Sequence, residues 1–355
     1  MALNADVIST RPPIRVLIVD DTRTIRMLIR ALLSKDPRIS VVGEAGDPYE
    51  ARDMIKALRP DVLTLDVEMP RMNGLVFLEK IMRLRPMPVI MVSTRTAEQS
   101  DAAIKALSLG ALDCIDLKRL QAGDPRVADL ADTVAVAAEA SIRKPAEPVA
   151  AAEASSETCA YEWSGKYVVV GSSTGGVEAL MQVFSSYPEN GPPVVVAQHM
   201  PAPFLESFAR RLDSNCRGHV RLAQDGDFLR QGEILVGPGG RHHVTLKGRE
   251  RPRIFLQPDD GQAMYVPCVD YLFKSAVPLG SNAVAVMLTG MGRDGATAML
   301  DMRNAGAHTI AQSPETVVVD GMPKAARERG AVIDVVHLNK ICRRILQVTG
   351  KGQSA

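Results

Sequence analysis

Two doubly wound parallel-sheet α/β domains joined by a linker are predicted for this chain, on three observations. Its 355 residues exceed what one ordinary core holds. Strand-like and helix-like patterns alternate through the first third, and β-branched runs such as Val168-Val169-Val170 suit strands covered on both faces in the second half. Between them, residues 123–165 are rich in Ala, Glu and Ser and contain Lys144-Pro145 and Glu147-Pro148, a linker composition. The expected division is a first domain over 14–122, a linker over 123–165 with helical character around 127–142, and a second domain over 166–348.

In chain order, Ile14–Val19 reads as a strand ending at Asp20 and Asp21, followed by a helix with Ile25, Leu28, Ile29, Leu32 and Leu33 at helical spacing. A strand over 40–45 precedes a helix over 48–58. The third strand, 62–65, ends at Asp66 and leads into Glu68-Met69-Pro70 and Asn73-Gly74. A fourth, 88–92, ends at Ser93-Thr94. In such a sheet, ligands sit beyond the carboxyl ends of the strands, so Asp20, Asp21 and Asp66 are expected to converge there. Singly, each aspartate is more simply a strand end or a helix cap. Three together, with a hydroxyl at Ser93, form an oxygen-only set that repels itself and suits Mg²⁺, with Asp66 as a nucleophile toward a phosphoryl group.

At these residues the stretch resembles a response-regulator receiver domain, of flavodoxin-like fold. The matching words are Asp20-Asp21, Asp66 within Leu65-Asp66-Val67-Glu68-Met69-Pro70, Asn73-Gly74, Ser93, and Gly110-Ala111-Leu112-Asp113. The resemblance implies that Asp66 accepts phosphate from a histidine kinase, that Asp20 and Asp21 help Asp66 hold Mg²⁺, and that Ser93 senses the phosphoryl group. It also calls for a switch lysine followed by proline. Here the run is Ile115-Asp116-Leu117-Lys118-Arg119, so Lys118 falls one residue late and lacks its proline. A one-residue slip turns a strand side chain to the other face unless a bulge corrects it.

In the second half, Val168–Val170 breaks into Gly171-Ser172-Ser173-Thr174-Gly175-Gly176 and then a helical pattern from Val177. Gly-x-Ser-x-Gly at a strand-to-helix turn suits a projecting nucleophile, Ser173, with the helix N-terminus favouring negative charge beside it. The same turn fails the dinucleotide-binding spacing. A further strand runs from Pro193 into Gln198-His199-Met200, and another from Ala283 into Gly290-Met291-Gly292-Arg293-Asp294-Gly295. A lone His is more often structural, and an Asp between glycines is usually a turn residue. On neighbouring parallel strands, however, Ser173, His199 and Asp294 would meet as nucleophile, base and orienting carboxylate. Their order in the chain is not that of α/β-hydrolases.

These segments, with Pro238-Gly239-Gly240-Arg241-His242, Val269-Asp270-Tyr271-Leu272-Phe273 and Gly321-Met322-Pro323, resemble the Rossmann-like catalytic domain of the chemotaxis protein-glutamate methylesterases, the CheB family. The resemblance implies hydrolysis of γ-glutamyl methyl esters on the cytoplasmic helices of chemoreceptors, with release of methanol, and deamidation of receptor glutamines. Ser173 would attack, His199 move the proton and Asp294 hold the imidazole. Met291 would lend a backbone N–H to the oxyanion, and Thr174 would border the site. Ester hydrolysis needs no cofactor; Mg²⁺ belongs to the receiver. The unphosphorylated receiver is expected to cover Ser173, and phosphorylation of Asp66 to release it. Two departures stand out. Ser172 replaces an alanine and offers a rival hydroxyl, and Tyr265, Val266 and Cys268 fall where the family carries a His-Arg-Pro-Ser run.

The rest of the composition narrows the alternatives. A net charge of +1 gives no argument for nucleic acid as partner, and no basic recognition helix stands out for a transcription factor. A receiver-controlled binding protein with an idle hydrolytic site remains the rival reading. No apolar run is long enough to span a membrane, and the start, Met1-Ala2-Leu3-Asn4-Ala5-Asp6, lacks a signal-peptide pattern, so a cytoplasmic protein without membrane insertion is expected. Cys114, Cys159, Cys216, Cys268 and Cys342 are scattered without a C-x-x-C pair and read as free thiols.

Overall fold

The computed structural model describes residues 12–93, 97–116, 130–140 and 161–352. Leu117 and Lys118, most of the stretch 123–165, and Cys159 lie outside the described residues, as do the side chains of Ser93 and Asp116.

The first domain is a five-stranded parallel sheet in the order β2-β1-β3-β4-β5. Its elements are β1 (Ile14–Val19), α1 (Arg23–Leu33), β2 (Ile39–Ala45), α2 (Pro48–Leu58), β3 (Val62–Asp66), α3 (Gly74–Leu84), β4 (Val89–Ser93), α4 (Ala97–Ser108) and β5 (Asp113–Asp116). Local chemistry sets the helix starts. Asp47 caps α2 by accepting the N–H groups of Tyr49 and Glu50, and Asn73 caps α3 by accepting that of Leu75. The strand order reverses between β1 and β3, so Asp20, Asp21 and Asp66 leave the sheet side by side.

One helix changes the expected division. Helix α5 (Leu130–Glu139) lies inside the stretch read as linker, yet it packs on the first sheet. Leu130, Ala131, Val134 and Ala137 form its buried stripe and join the core of Val16, Ile18, Ile90 and Val92. Asp132, on its first turn, pairs with Arg38 at 2.5 Å. The helix falls within 127–142, where helical character is expected, and its small side chains let it lie close to the strands.

The second domain is a seven-stranded sheet in the order β14-β13-β12-β6-β7-β9-β8, with every neighbouring pair parallel. In chain order come β6 (Tyr167–Ser172), α6 (Gly176–Phe184), β7 (Val194–Gln198), α7 (Ala202–Asp213), β8 (His219–Leu222) and β9 (Glu233–Val236). An antiparallel pair, β10 (His242–Lys247) and β11 (Arg253–Pro258), stands apart from the sheet. Then follow α8 (Val269–Ala276), β12 (Ala283–Met287), α9 (Ala296–Asn304), β13 (His308–Gln312), α10 (Met322–Glu328), β14 (Asp334–Val336) and α11 (Leu338–Thr349). Strand β6 lies between β7 and β12, so the three strand ends that carry the candidate catalytic residues are neighbours.

The two domains share apolar packing. Helix α4 lies against α7 and α6, and Ala103, Leu107 and Ala111 belong to one core cluster with Val177, Phe204 and Phe208. At the edge of this contact Asp101 pairs with Arg210 at 3.0 Å, an exposed ion pair of small worth.

Candidate active site

Ser173 follows β6 directly, and its N–H donates to the Thr289 carbonyl at 3.0 Å. The chain then turns sharply into α6 through Gly175, whose φ of 76° only glycine adopts at little cost. Gly290 is constrained by proximity: a Cβ there would fall 2.8 Å from the Ser173 Cβ. Met291 follows that glycine in the chain. Thr289, not singled out in the sequence, organises the turn. Its Oγ1 donates to the Thr174 carbonyl at 3.1 Å and accepts N–H groups from Val318 and Val319.

The rival hydroxyl is occupied. Ser172 is fully buried and donates to Gln198 Oε1 at 2.5 Å. The amide of Gln198 in turn donates to the carbonyls of Ser173 at 2.9 Å and His199 at 3.1 Å, tying the ends of β6 and β7 together. Gln198 was legible only as a neighbour of His199.

His199 and Asp294 meet as the strand order requires, with Nε2 to Oδ2 at 2.7 Å and both side chains largely buried. Asp294 also accepts the N–H of Val269 at 2.7 Å and of Asp270 at 2.9 Å, at the start of α8, and the Cys268 thiol at 3.2 Å. Burial opposes ionisation of this carboxyl, but the His199 hydrogen bond and charge and the two backbone donors outweigh it and hold its pKa at about 2. An ionised carboxylate only accepts, so His199 Nε2 carries the hydrogen of this bond. Nδ1 is buried and has no hydrogen-bond partner, and no hydrogen bond joins Ser173 to His199 in this structure. The imidazole face is covered by Tyr265, stacked at 4.1 Å between centroids and 16° between planes.

The receiver side reaches this site. Asp113, the first residue of β5, accepts the Thr174 hydroxyl at 3.2 Å and the Cys114 N–H at 2.7 Å. Burial pushes its carboxyl above the usual aspartate range, partly offset by those hydrogen bonds and by the charge of His199. One cavity is lined jointly by Asp113 and Leu112 from the first domain and by Ser173, Thr174, His199 and Met200 from the second. Receiver residues thus line the same cavity as Ser173. In the sequence Asp113 stands out only within Gly110-Ala111-Leu112-Asp113.

In the first domain, oxygens of Asp20, Asp21 and Asp66 all lie within 4.8 Å of one another. Burial, then the charge of Asp20, raises Asp66 to about 7; burial raises Asp20 to about 6, with Asp21 adding repulsion and the Thr22 N–H opposing it. A close set of oxygen donors with suppressed ionisation fits a small hard cation such as Mg²⁺. Ser93 ends β4, adjacent to β3 in the sheet, and Lys118 lies outside the described residues. Among the described residues, Cys114, Cys216, Cys268 and Cys342 form no disulfide. Among the described residues no helix is long and apolar enough to cross a membrane.

Comparison with known proteins agrees with this geometry. The family model described as response regulator receiver domain matches residues 16–124, and that described as CheB methylesterase matches residues 168–345. A protein-glutamate methylesterase/protein-glutamine glutaminase 1 of Rhizobium johnstonii is 49% identical over 95% of this chain and 97% of its own. One from Caulobacter vibrioides is 49% identical over 94% of this chain and 98% of its own. Among solved structures, the Thermotoga maritima CheB methylesterase catalytic domain is 38% identical with a TM-score of 0.50, covering 52% of this chain and 99% of that one. With both parts matched in order and near-complete coverage of such relatives, the chain belongs to the CheB family, a receiver domain followed by a methylesterase domain.

Proposed function

We propose that this chain is a receiver-controlled protein-glutamate methylesterase and protein-glutamine glutaminase acting on the cytoplasmic helices of chemoreceptors. The observation that carries the reading is the His199–Asp294 pair, 2.7 Å apart with the carboxylate held ionised, at strand ends flanking Ser173. The esterase machinery is assigned to residues 166–348, and the receiver to residue 14 through α5.

In the proposed reaction, Ser173 Oγ attacks the γ-carbonyl carbon of a methylated glutamate while its proton passes to His199 Nδ1. Asp294 stabilises the imidazolium that forms. The oxyanion is met by the Met291 N–H, and the small turn around Gly290 leaves room for it. His199 then protonates the departing methoxide, which leaves as methanol, and a water repeats the sequence to free Ser173. For a glutamine substrate the same steps expel ammonia. Thr174 borders the site.

In the receiver, Asp66 is the proposed phosphoryl acceptor, loaded by a chemotaxis histidine kinase. Asp20, Asp21 and Asp66 would hold Mg²⁺, which when bound offsets negative charge on the transferring phosphoryl group. Ser93 and Lys118 are assigned to the switch. Phosphorylation weakens the contact made by α4 and β5 on the esterase face, a shift of an existing equilibrium.

The test is methanol release from methylated receptor cytoplasmic fragments, for wild type and Ser173→Ala, with and without acetyl phosphate and Mg²⁺. Release that requires Ser173 and rises with the phosphodonor is expected. Serine-dependent release indifferent to the phosphodonor would overturn the receiver coupling, and no release from wild type would overturn the esterase reading in favour of a binding protein.

A further inference from the structure

The imidazole of His199 is held on two sides, and only one of them is the carboxylate. Asp294 takes its edge, and the ring of Tyr265 covers its face at 4.1 Å and 16°. Tyr265 is delivered by the segment between β11 and α8, which is anchored at both ends. On one side Asp259 accepts the N–H of Gly261 at 3.0 Å and Asp260 that of Gln262 at 3.0 Å. On the other, the Cys268 N–H donates to His243 Nδ1 at 3.1 Å and its thiol to Asp294. His243 is itself fully buried and stacked on Tyr271 at 4.2 Å. The tyrosine is therefore part of a braced wall rather than a loose side chain.

The face of an aromatic ring carries partial negative charge, and it attracts a cation laid over it more strongly than a neutral ring. In the proposed reaction His199 takes up the Ser173 proton, so positive charge develops on its ring as the serine attacks. An interaction that strengthens as that charge develops lowers the barrier without tightening substrate binding. A parallel ring also keeps the imidazole in the plane that Asp294 requires.

We propose that Tyr265 is a positioning residue for His199, whose ring face fixes the imidazole plane and favours the imidazolium formed when Ser173 is deprotonated. The inference rests on the proposed esterase reading. It assigns to this chain a contact made by a side chain that departs from the family's pattern.

The test uses the full chain with Mg²⁺ and acetyl phosphate. Tyr265→Phe keeps a ring, and Tyr265→Leu fills much of the space without one; Tyr265→Met repeats the aliphatic arm if the leucine variant does not fold. For methanol release, kcat of the aliphatic variants is expected to fall about tenfold with KM within about twofold, and Tyr265→Phe to recover most of the loss. A kcat near the wild-type value in both the Phe and Leu variants would overturn the proposal as mere space filling. A loss confined to KM would overturn it as substrate contact, and a phenylalanine variant as slow as leucine would assign the effect to the hydroxyl. The rate of Ser173 phosphonylation by a fluorophosphonate, which expels fluoride and needs the same deprotonation, is measured alongside. If wild type labels but releases no methanol, the esterase reading fails, and the labelling rates of the same variants decide the role of Tyr265.

Discussion

The chain holds two buried carboxylate sites in opposite states. Asp66 and Asp20 in the receiver are pushed up to about 7 and about 6, whereas Asp294 in the esterase domain is held at about 2. Burial raises all three, so burial is not what separates them. Asp294 faces an imidazole and two backbone donors at the start of a helix; Asp66 faces two other carboxylates, and its backbone donors do not offset burial. One carboxylate has its counter-charge built into the fold, and the other is left requiring a cation from outside.

That contrast is most sharply tested by Asp294→Asn. An amide cannot hold the imidazole in the same tautomer or stabilise its cation, and the loss in kcat is expected on the order of 10⁴-fold. The amide would also turn an N–H toward the backbone donors of Val269 or Asp270, so thermal unfolding should show a loss of about 1–3 kcal/mol. Activity within tenfold of wild type would mean that Asp294 is only a helix-start ligand.

The receiver carboxylates predict the opposite pH dependence. A raised folded-state pKa means that the folded receiver binds protons more tightly than the unfolded chain, so without metal its stability is fullest below the ordinary aspartate value of 3.8 and is lost as pH rises through about 6 and about 7. For Asp294 the sign is reversed: its contribution is present above 3.8 and lost as pH falls through about 2. Melting curves in a chelator should therefore drop for the receiver transition between pH 4 and pH 7, and added Mg²⁺ should reverse the drop. Mg²⁺ affinity should rise about tenfold per pH unit where one proton is displaced and level off above pH 7. An affinity flat from pH 5 to pH 8 would contradict the crowded-carboxylate account.

The smallest effect is expected where the two regions touch. Asp113→Ala removes a partly buried hydrogen bond between receiver and esterase, worth about 1 kcal/mol. Methanol release without phosphodonor should then rise roughly fivefold while the phosphodonor-stimulated rate changes little. Unchanged basal release would show that apolar contact through α4 alone holds the receiver in place.

Both folds and the residues of both candidate sites were legible because they are written locally. Strands that end in Asp20, Asp66, Ser173 or His199, and glycines that let the chain turn after them, depend on a few neighbouring residues. A helix was legible around 127–142, where α5 lies, but its packing on the first sheet was not, because only the partner surface separates a helix in a linker from one docked on a sheet. The role of Ser172 was open for a similar reason, since a hydroxyl beside the nucleophile reveals its partner, Gln198, only when β6 and β7 lie together.

The sequence by itself determined the two sheets, the convergence of three aspartates and the candidate Ser–His–Asp set, because strand ends in a doubly wound sheet share one edge whatever their spacing. Only the tertiary structure decided that Tyr265 covers His199, that Cys268 and α8 brace Asp294, and that Asp113 of the receiver binds Thr174. These contacts join residues far apart in the chain through a loop and a domain interface. Their geometry follows from how surfaces pack, which no local pattern of residues encodes.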